Sequence, residues 1–178
     1  MKLREVKDAF SGFHRIETKK GGVMAVFKTG DLLEAPGIKI VTACSYLCAE
    51  GNLFMGRGLA RELKVKVLGI DEIFGKMILD DVGHLGRYGL MIYEKYGILQ
   101  VRRHYDEKPD LDLIVFGIRR LGSFAEETGY IIHLEFPGLA YKELSKNEVE
   151  PILTPLPDNV HVWERPEGEY GIHSRTHF

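Results

Sequence analysis

Cysteine is scarce in this chain, and the two residues present, Cys44 and Cys48, fall in one short stretch. That excludes a disulfide-stapled scaffold, and their spacing to His84 or His104 matches no metal-ligand pattern. Both read as small buried apolar residues, and neither a metal nor a cofactor is expected. Long apolar runs are missing too: none approaches the roughly 18 residues that a membrane-spanning helix needs, and no basic start leads into an apolar stretch. A cytoplasmic protein with no membrane partner is the expectation. Strong charge of either sign is absent, the formal net charge being −2, so nothing global favours direct binding to nucleic acid. Internal repeats and low-complexity tracts are lacking as well.

What remains is an ordinary globular composition, 44% hydrophobic and 28% charged, in 178 residues. That length suits one well-filled core, so a single domain over 1–178 is expected, ending in a polar tail from about Glu164 that carries His173 and His177. The most informative run is Gly51-Asn52-Leu53-Phe54-Met55-Gly56-Arg57-Gly58-Leu59-Ala60-Arg61-Glu62-Leu63-Lys64. Here a glycine-paired loop feeds straight into an amphipathic helix. Glycines let the backbone approach a ligand closely, and a helix start offers N–H groups without intrahelical partners at the positive end of its dipole. A phosphate fits such a place. Upstream, Gly30-Asp31-Leu32-Leu33 closes an apolar segment, and Ile38 to Thr42 runs into Cys44-Ser45 just before the glycine loop. An acid and a phosphate cradle therefore come to one edge of one sheet, as a nucleotide-like ligand requires.

The remaining elements follow from periodicity. Phe13 to Thr18 and Val23 to Thr29 read as a hairpin about Lys19-Lys20-Gly21-Gly22. Leu59, Leu63 and Val67 mark a helix face, Asp71 to Asp80 gives a second helix, and Leu111, Ile114, Ile118, Leu121 and Ala125 mark a long one opened by Lys108-Pro109-Asp110 and closed by Gly129. Tyr88 to Glu94 and Ile98 to His104 read as a second hairpin joined by Lys95-Tyr96-Gly97. Tyr130 to Leu134 and Asn159 to Glu164 complete the strands. Ser145 and Glu148 have capping-box spacing, but Pro151 leaves the helix start open between Ser145 and Glu150. Alternating strands and helices point to an α/β domain that binds ligand at strand C-terminal ends.

Three of these motifs, Gly30-Asp31-Leu32, Met55-Gly56-Arg57-Gly58-Leu59-Ala60 and Pro137-Gly138-Leu139, occur in the order found in macrodomains. The chain resembles that ADP-ribose-binding family over roughly Val23 to Trp163, and within it the branch of terminal ADP-ribose glycohydrolases and antitoxin macrodomains. The resemblance implies a three-layer α/β fold, a mixed and mostly parallel sheet with helices on both faces. It further implies that Asp31 accepts a hydrogen bond from adenine, with the Leu32 backbone beside it. Met55, Gly56, Arg57, Gly58 and Leu59 would wrap the distal ribose and one phosphate, with Ser45 nearby, while Pro137, Gly138, Leu139 and Ala140 close over the diphosphate. The implied partner is ADP-ribose or an ADP-ribosylated macromolecule.

The same resemblance removes the usual catalytic groups. The branch's nucleophilic lysine falls at Arg102, or at Arg103 if the register slips by one, and a guanidinium stays protonated. Its loop aspartate falls at Ala140, and the asparagine of other macrodomain hydrolases is replaced within Thr42-Ala43-Cys44-Ser45. Catalytic residues are accordingly unassigned, and the expected function is binding of ADP-ribose or a related nucleotide, with ADP-ribosylated substrates as its field of action. The alternatives are an ADP-ribosyl hydrolase that uses other residues and an interaction domain that has lost its ligand. Arg102, Arg103 and His104 read either as an anion contact or as a solvated strand end balanced by Asp106 and Glu107. His133 reads as a satisfied structural histidine, and Phe136 and Tyr141 as rim aromatics.

Overall fold

The computed structural model describes residues 24–139 and 144–166. Strand β1 (Val26–Thr29) leads through a short 3-10 turn at Leu32–Glu34 into β2 (Ile38–Ala43), then helices α1 (Gly58–Lys66) and α2 (Ile70–Asp81). A hairpin of β3 (Leu90–Tyr93) and β4 (Tyr96–Gln100) precedes α3 (Leu111–Thr128), β5 (Ile132–Glu135), α4 (Lys146–Leu153) and β6 (Val160–Glu164). The six strands form one sheet in the order β1-β6-β5-β2-β4-β3. Every neighbouring pair is parallel except β3 with β4.

Side-chain alternation along β2 explains the layers. Ile38 and Ile40 point to one face, where they join Leu99, Leu134 and Val162 against Ile114, Ile118 and Leu121 of α3 and Val149 and Leu153 of α4. Val41 and Ala43 point to the other, joining Ile98 and Met91 against Leu59 and Leu63 of α1 and Ile70, Phe74 and Ile78 of α2. The result is the expected three-layer α/β architecture.

The second hairpin is shorter and shifted from the sequence expectation. Tyr93 pairs with Tyr96 across a turn of Glu94 and Lys95, with Glu94 at φ 51°. Gly97 lies inside β4 because a Cβ there would sit 3.0 Å from Ile40 Cγ1 and 3.0 Å from the Met91 carbonyl oxygen. It is a packing glycine, not a turn glycine. The strand stops at Gln100, and Val101 makes one more bond to the Ala43 carbonyl before the chain leaves, so Arg102, Arg103 and His104 lie beyond the sheet.

The long helix is capped as its sequence requires, Asp110 accepting from the Asp112 N–H at 2.8 Å and Gly129 closing it at φ 64°. Helix α4 begins at Lys146 and carries Pro151 inside it; the Glu148 carboxylate accepts from the Ser145 N–H at 2.8 Å and from its hydroxyl at 2.7 Å. The segment Phe13 to Thr18, the Lys19–Gly22 turn, Ala140, Tyr141 and the tail from residue 167 lie outside the described residues. Among those described, no helix is long and apolar enough to cross a membrane.

Candidate functional site

Crossovers leave β2 on one face and leave β4 and β5 on the other, because α1 packs with β2 and α2 while α3 and α4 pack on the opposite side. The loops at the C-terminal ends of these strands therefore diverge, and a crevice opens between them. It is a cleft open to solvent, with about 80 Å³ of internal room. Its floor comes from Thr42, Ala43 and Cys44 at the end of β2 and from Glu135 at the end of β5. One wall is Phe54-Met55-Gly56-Arg57-Gly58 with Ala60, and the other is Val101, Arg102 and Tyr105.

The glycine loop is held from behind. Leu53 N–H donates to the Asp71 carbonyl at 2.9 Å and Phe54 N–H to the Tyr46 carbonyl at 3.0 Å. Gly75 of α2 lies so close that a Cβ would meet the Gly51 carbonyl oxygen at 2.1 Å. Gly56 has a different constraint, since its Cβ would lie 2.5 Å from the Phe54 ring. Gly58 turns the chain into α1 at φ 56°, and a Cβ there meets nothing within 4 Å. The first hydrogen bond of α1 runs from Arg61 N–H to the Arg57 carbonyl at 3.2 Å, so the N–H groups of Gly58, Leu59 and Ala60 precede the helical ladder.

Below the floor sits a buried amide that no sequence motif announced. Gln100 Oε1 accepts from Tyr88 N–H at 2.9 Å and Gly89 N–H at 3.2 Å, and its Nε2 donates to Ser45 Oγ at 3.1 Å and to the Gly86 carbonyl at 2.9 Å. Ser45 is fully buried and its N–H donates to the Arg103 carbonyl at 3.1 Å. It ties β2 to the Arg102 segment from beneath and is not among the lining residues. Leu32 and Leu59 are core residues, so only their backbones can reach a ligand.

Asp31 stands apart from the cleft walls, exposed before the 3-10 turn, where its Oδ1 accepts from Leu33 N–H at 2.8 Å. Its loop is pinned at both ends. Trp163 backs Gly30, whose added Cβ would lie 3.2 Å from the indole Cζ3, and the indole N–H donates to His133 Nδ1 at 2.9 Å. With Nδ1 accepting, the proton is on Nε2, which donates to the Pro36 carbonyl at 2.6 Å. Burial lowers the His133 pKa to about 4, which keeps it the satisfied neutral histidine expected.

The basic run is tied to the segment that follows it: Arg102 donates to the Glu107 backbone carbonyl at 2.6 Å, Arg103 pairs with the Asp110 carboxylate at 3.5 Å and His104 with that of Asp106. Of these, Arg102 lines the cleft and Arg103 does not. Pro137 and Gly138 are buried and Leu139 half-buried; they too are absent from the lining, Gly138 being packed against Leu144 at φ 79°. Burial raises the Cys44 thiol pKa, which makes it a poor nucleophile.

Glu135 is the residue that sequence reasoning passed over. It is 9% exposed, and its Oε2 accepts from Thr42 N–H at 2.6 Å and from Thr42 Oγ1 at 2.9 Å. Burial raises its pKa against the lowering effect of both Thr42 bonds. An acid ending an apolar strand just before Phe136-Pro137-Gly138 was the available signal. Among the described residues, no group of three His, Cys, Asp or Glu is placed to hold a metal ion.

A six-stranded mixed sheet between two helical layers, with its cleft at the strand ends beside a glycine loop, is the macrodomain fold, and solved structures bear this out. The macrodomain of Thermus aquaticus DarG is 20% identical and superposes with a TM-score of 0.59 over 80% of this chain and 98% of its own. The Mycobacterium tuberculosis DarG macrodomain is likewise 20% identical, with a TM-score of 0.60 over 80% and 98%. Thermosipho africanus DarTG in complex with ADP-ribose is 16% identical, with a TM-score of 0.62 over 80% of this chain and 42% of that one. No protein-family model matches the sequence, and no curated protein sequence matches it significantly.

Proposed function

We propose that this chain binds ADP-ribose, free or attached to a macromolecule, across the C-terminal edge of its sheet. The observation that carries the reading is the Gly56-Arg57-Gly58 wall, whose backbone turns into the start of α1 at the mouth of the cleft. Backbone N–H donors and a helix dipole neutralise a diphosphate without a basic surface, which fits a chain of net charge −2. Adenine lies at Asp31, through the carboxylate oxygen that does not cap the turn, beside the Leu32 backbone. The distal ribose sits over Thr42 and Glu135, with Met55 to Leu59 on one side. Similarity of fold to a DarTG structure solved with ADP-ribose supports the same ligand.

Titration of isotope-labelled protein with ADP-ribose tests the placement. The backbone amide signals of Gly56, Gly58 and Leu59 and of Asp31 and Leu32 shift together, at one saturating dissociation constant. Shifts confined to other segments contradict the reading. Hydrolysis of the ADP-ribosyl bond is a second reading, and the carboxylate on the cleft floor favours it.

A further inference from the structure

Glu135 stands where two parallel strands part. Ile40 of β2 pairs with Leu134 of β5, and one step beyond that pair the Glu135 side chain reaches across to Thr42, taking both its N–H and its hydroxyl. Both bonds fall on Oε2; Oε1 takes no part in them. The carboxylate is thereby fixed in one orientation on the floor of the cleft, in the manner of a positioned acid-base group.

We propose that Glu135 is the catalytic base of this site, taking a proton from the water that attacks the anomeric carbon of the distal ribose of an ADP-ribosyl group. This rests on the reading of the cleft as an ADP-ribose site. A new bond forms between the water oxygen and the anomeric carbon, and the bond from that carbon to the acceptor atom breaks, its electron pair leaving with the acceptor. The water proton passes to Glu135 Oε1 and from there to solvent, and the acceptor atom takes up a proton from solvent where its basicity demands one. One water is consumed, and no covalent enzyme intermediate is needed, so an arginine at position 102 is no obstacle.

Two features suit Glu135 to the task. Burial raises its pKa toward the operating pH, where a base is most effective, while the Thr42 bonds keep the ionised form accessible. Its charged and titratable surroundings are Cys44 from β2, Arg57 from the glycine loop, Arg102 and Tyr105 beyond β4, Glu62 of α1 and Arg165 after β6. The last two pair with each other at 2.6 Å, which offsets their opposed influences.

The test uses ADP-ribose bearing para-nitrophenol at the anomeric carbon, a leaving group that needs no proton. The wild-type protein releases nitrophenolate, with a rate that rises with pH through one ionisation above the ordinary glutamate range. Glu135→Gln keeps an acceptor for Thr42 and loses about a hundredfold or more in kcat, while its affinity for ADP-ribose, measured by calorimetry, stays within about threefold, since free ADP-ribose binding needs no proton transfer. Formate restores turnover to Glu135→Ala. A merely structural Glu135 predicts lost affinity or folding in Glu135→Gln and no formate rescue. Wild-type protein that binds ADP-ribose without releasing nitrophenolate, or a Glu135→Gln variant with wild-type kcat, overturns the role of Glu135. If Glu135→Gln does not fold, a wild-type rate that is flat across the acid range overturns it instead. Wild-type protein that does not bind ADP-ribose overturns the underlying reading and not merely this step.

Discussion

The Trp163 indole N–H donates to His133 Nδ1 at 2.9 Å, and His133 Nε2–H in turn donates to the Pro36 carbonyl at 2.6 Å. This chain of two bonds holds the loop that presents Asp31, and it works only while the imidazole is neutral. The His133 pKa is lowered from 6.5 to about 4, with burial as the main cause and the neighbouring His161 adding to it. An unfolded His133 binds a proton below about pH 6.5 and the folded one does not until about pH 4. Its contribution to stability is therefore complete above pH 6.5 and is lost as pH falls through that window, on the order of 3 kcal/mol in all. Nuclear magnetic resonance of the imidazole shows a ring that is still mostly neutral at about pH 5 and titrates near pH 4, and the stability advantage of the wild type over His133→Gln shrinks from pH 6.5 to 4. An imidazole titrating near 6.5 in the folded protein contradicts the arrangement.

Asp31 has two jobs that substitution separates. Its Oδ1 caps the 3-10 turn through Leu33 N–H, and its other oxygen is the one assigned to adenine. Asp31→Asn keeps an acceptor for the cap and presents an amide N–H to the adenine amino group, so it leaves stability nearly unchanged and weakens ADP-ribose binding by about 1–3 kcal/mol. Asp31→Ala loses the affinity and about 1 kcal/mol of stability as well. Equal affinity of Asp31→Asn and wild type rules out the adenine contact.

Gly58 tests the phosphate cradle. With φ at 56° and no atom within 4 Å of an added Cβ, Gly58→Val costs the free protein only backbone strain, roughly 1–2 kcal/mol. The same side chain projects into the space assigned to the ligand, and ADP-ribose affinity falls by about tenfold or more. Thermal unfolding and calorimetry on one sample separate the two effects. A folded variant with wild-type affinity moves the phosphate elsewhere.

Gly75 supports the loop from behind. Helix propensity alone favours alanine there by about 1 kcal/mol, but a Cβ 2.1 Å from the Gly51 carbonyl oxygen and 2.9 Å from Leu53 N meets backbone that cannot rotate away. The expected outcome for Gly75→Ala is a net loss of about 1–3 kcal/mol in chemical denaturation. Stabilisation by the substitution contradicts this packing.

Much of this was legible in the sequence because it depends on local pattern. The run Leu111, Ile114, Ile118, Leu121, Ala125 with Asp110 before it and Gly129 after it specifies α3 and both its caps. The glycine loop entering α1 was equally plain, and Gly56 and Gly58 stand on the cleft wall. Non-local features were not legible. Gly97 reads as a turn from composition and is a packing glycine only because Ile40 and Met91 crowd it from other strands. Gln100 and Glu135 look like ordinary polar residues at strand ends. Of their partners, Ser45 and Thr42 are distant in sequence and reach them through the parallel pairing of β2 with β4 and β5, and Tyr88 meets Gln100 through the antiparallel pairing of β3 with β4.

Isothermal titration of the wild-type protein with ADP-ribose tests the central claim most directly. The account predicts one site per chain, an affinity in the micromolar range or tighter, and weaker binding of AMP, which lacks the second phosphate and the distal ribose. Absence of binding at millimolar ADP-ribose by folded protein, or equal affinity for AMP, contradicts it.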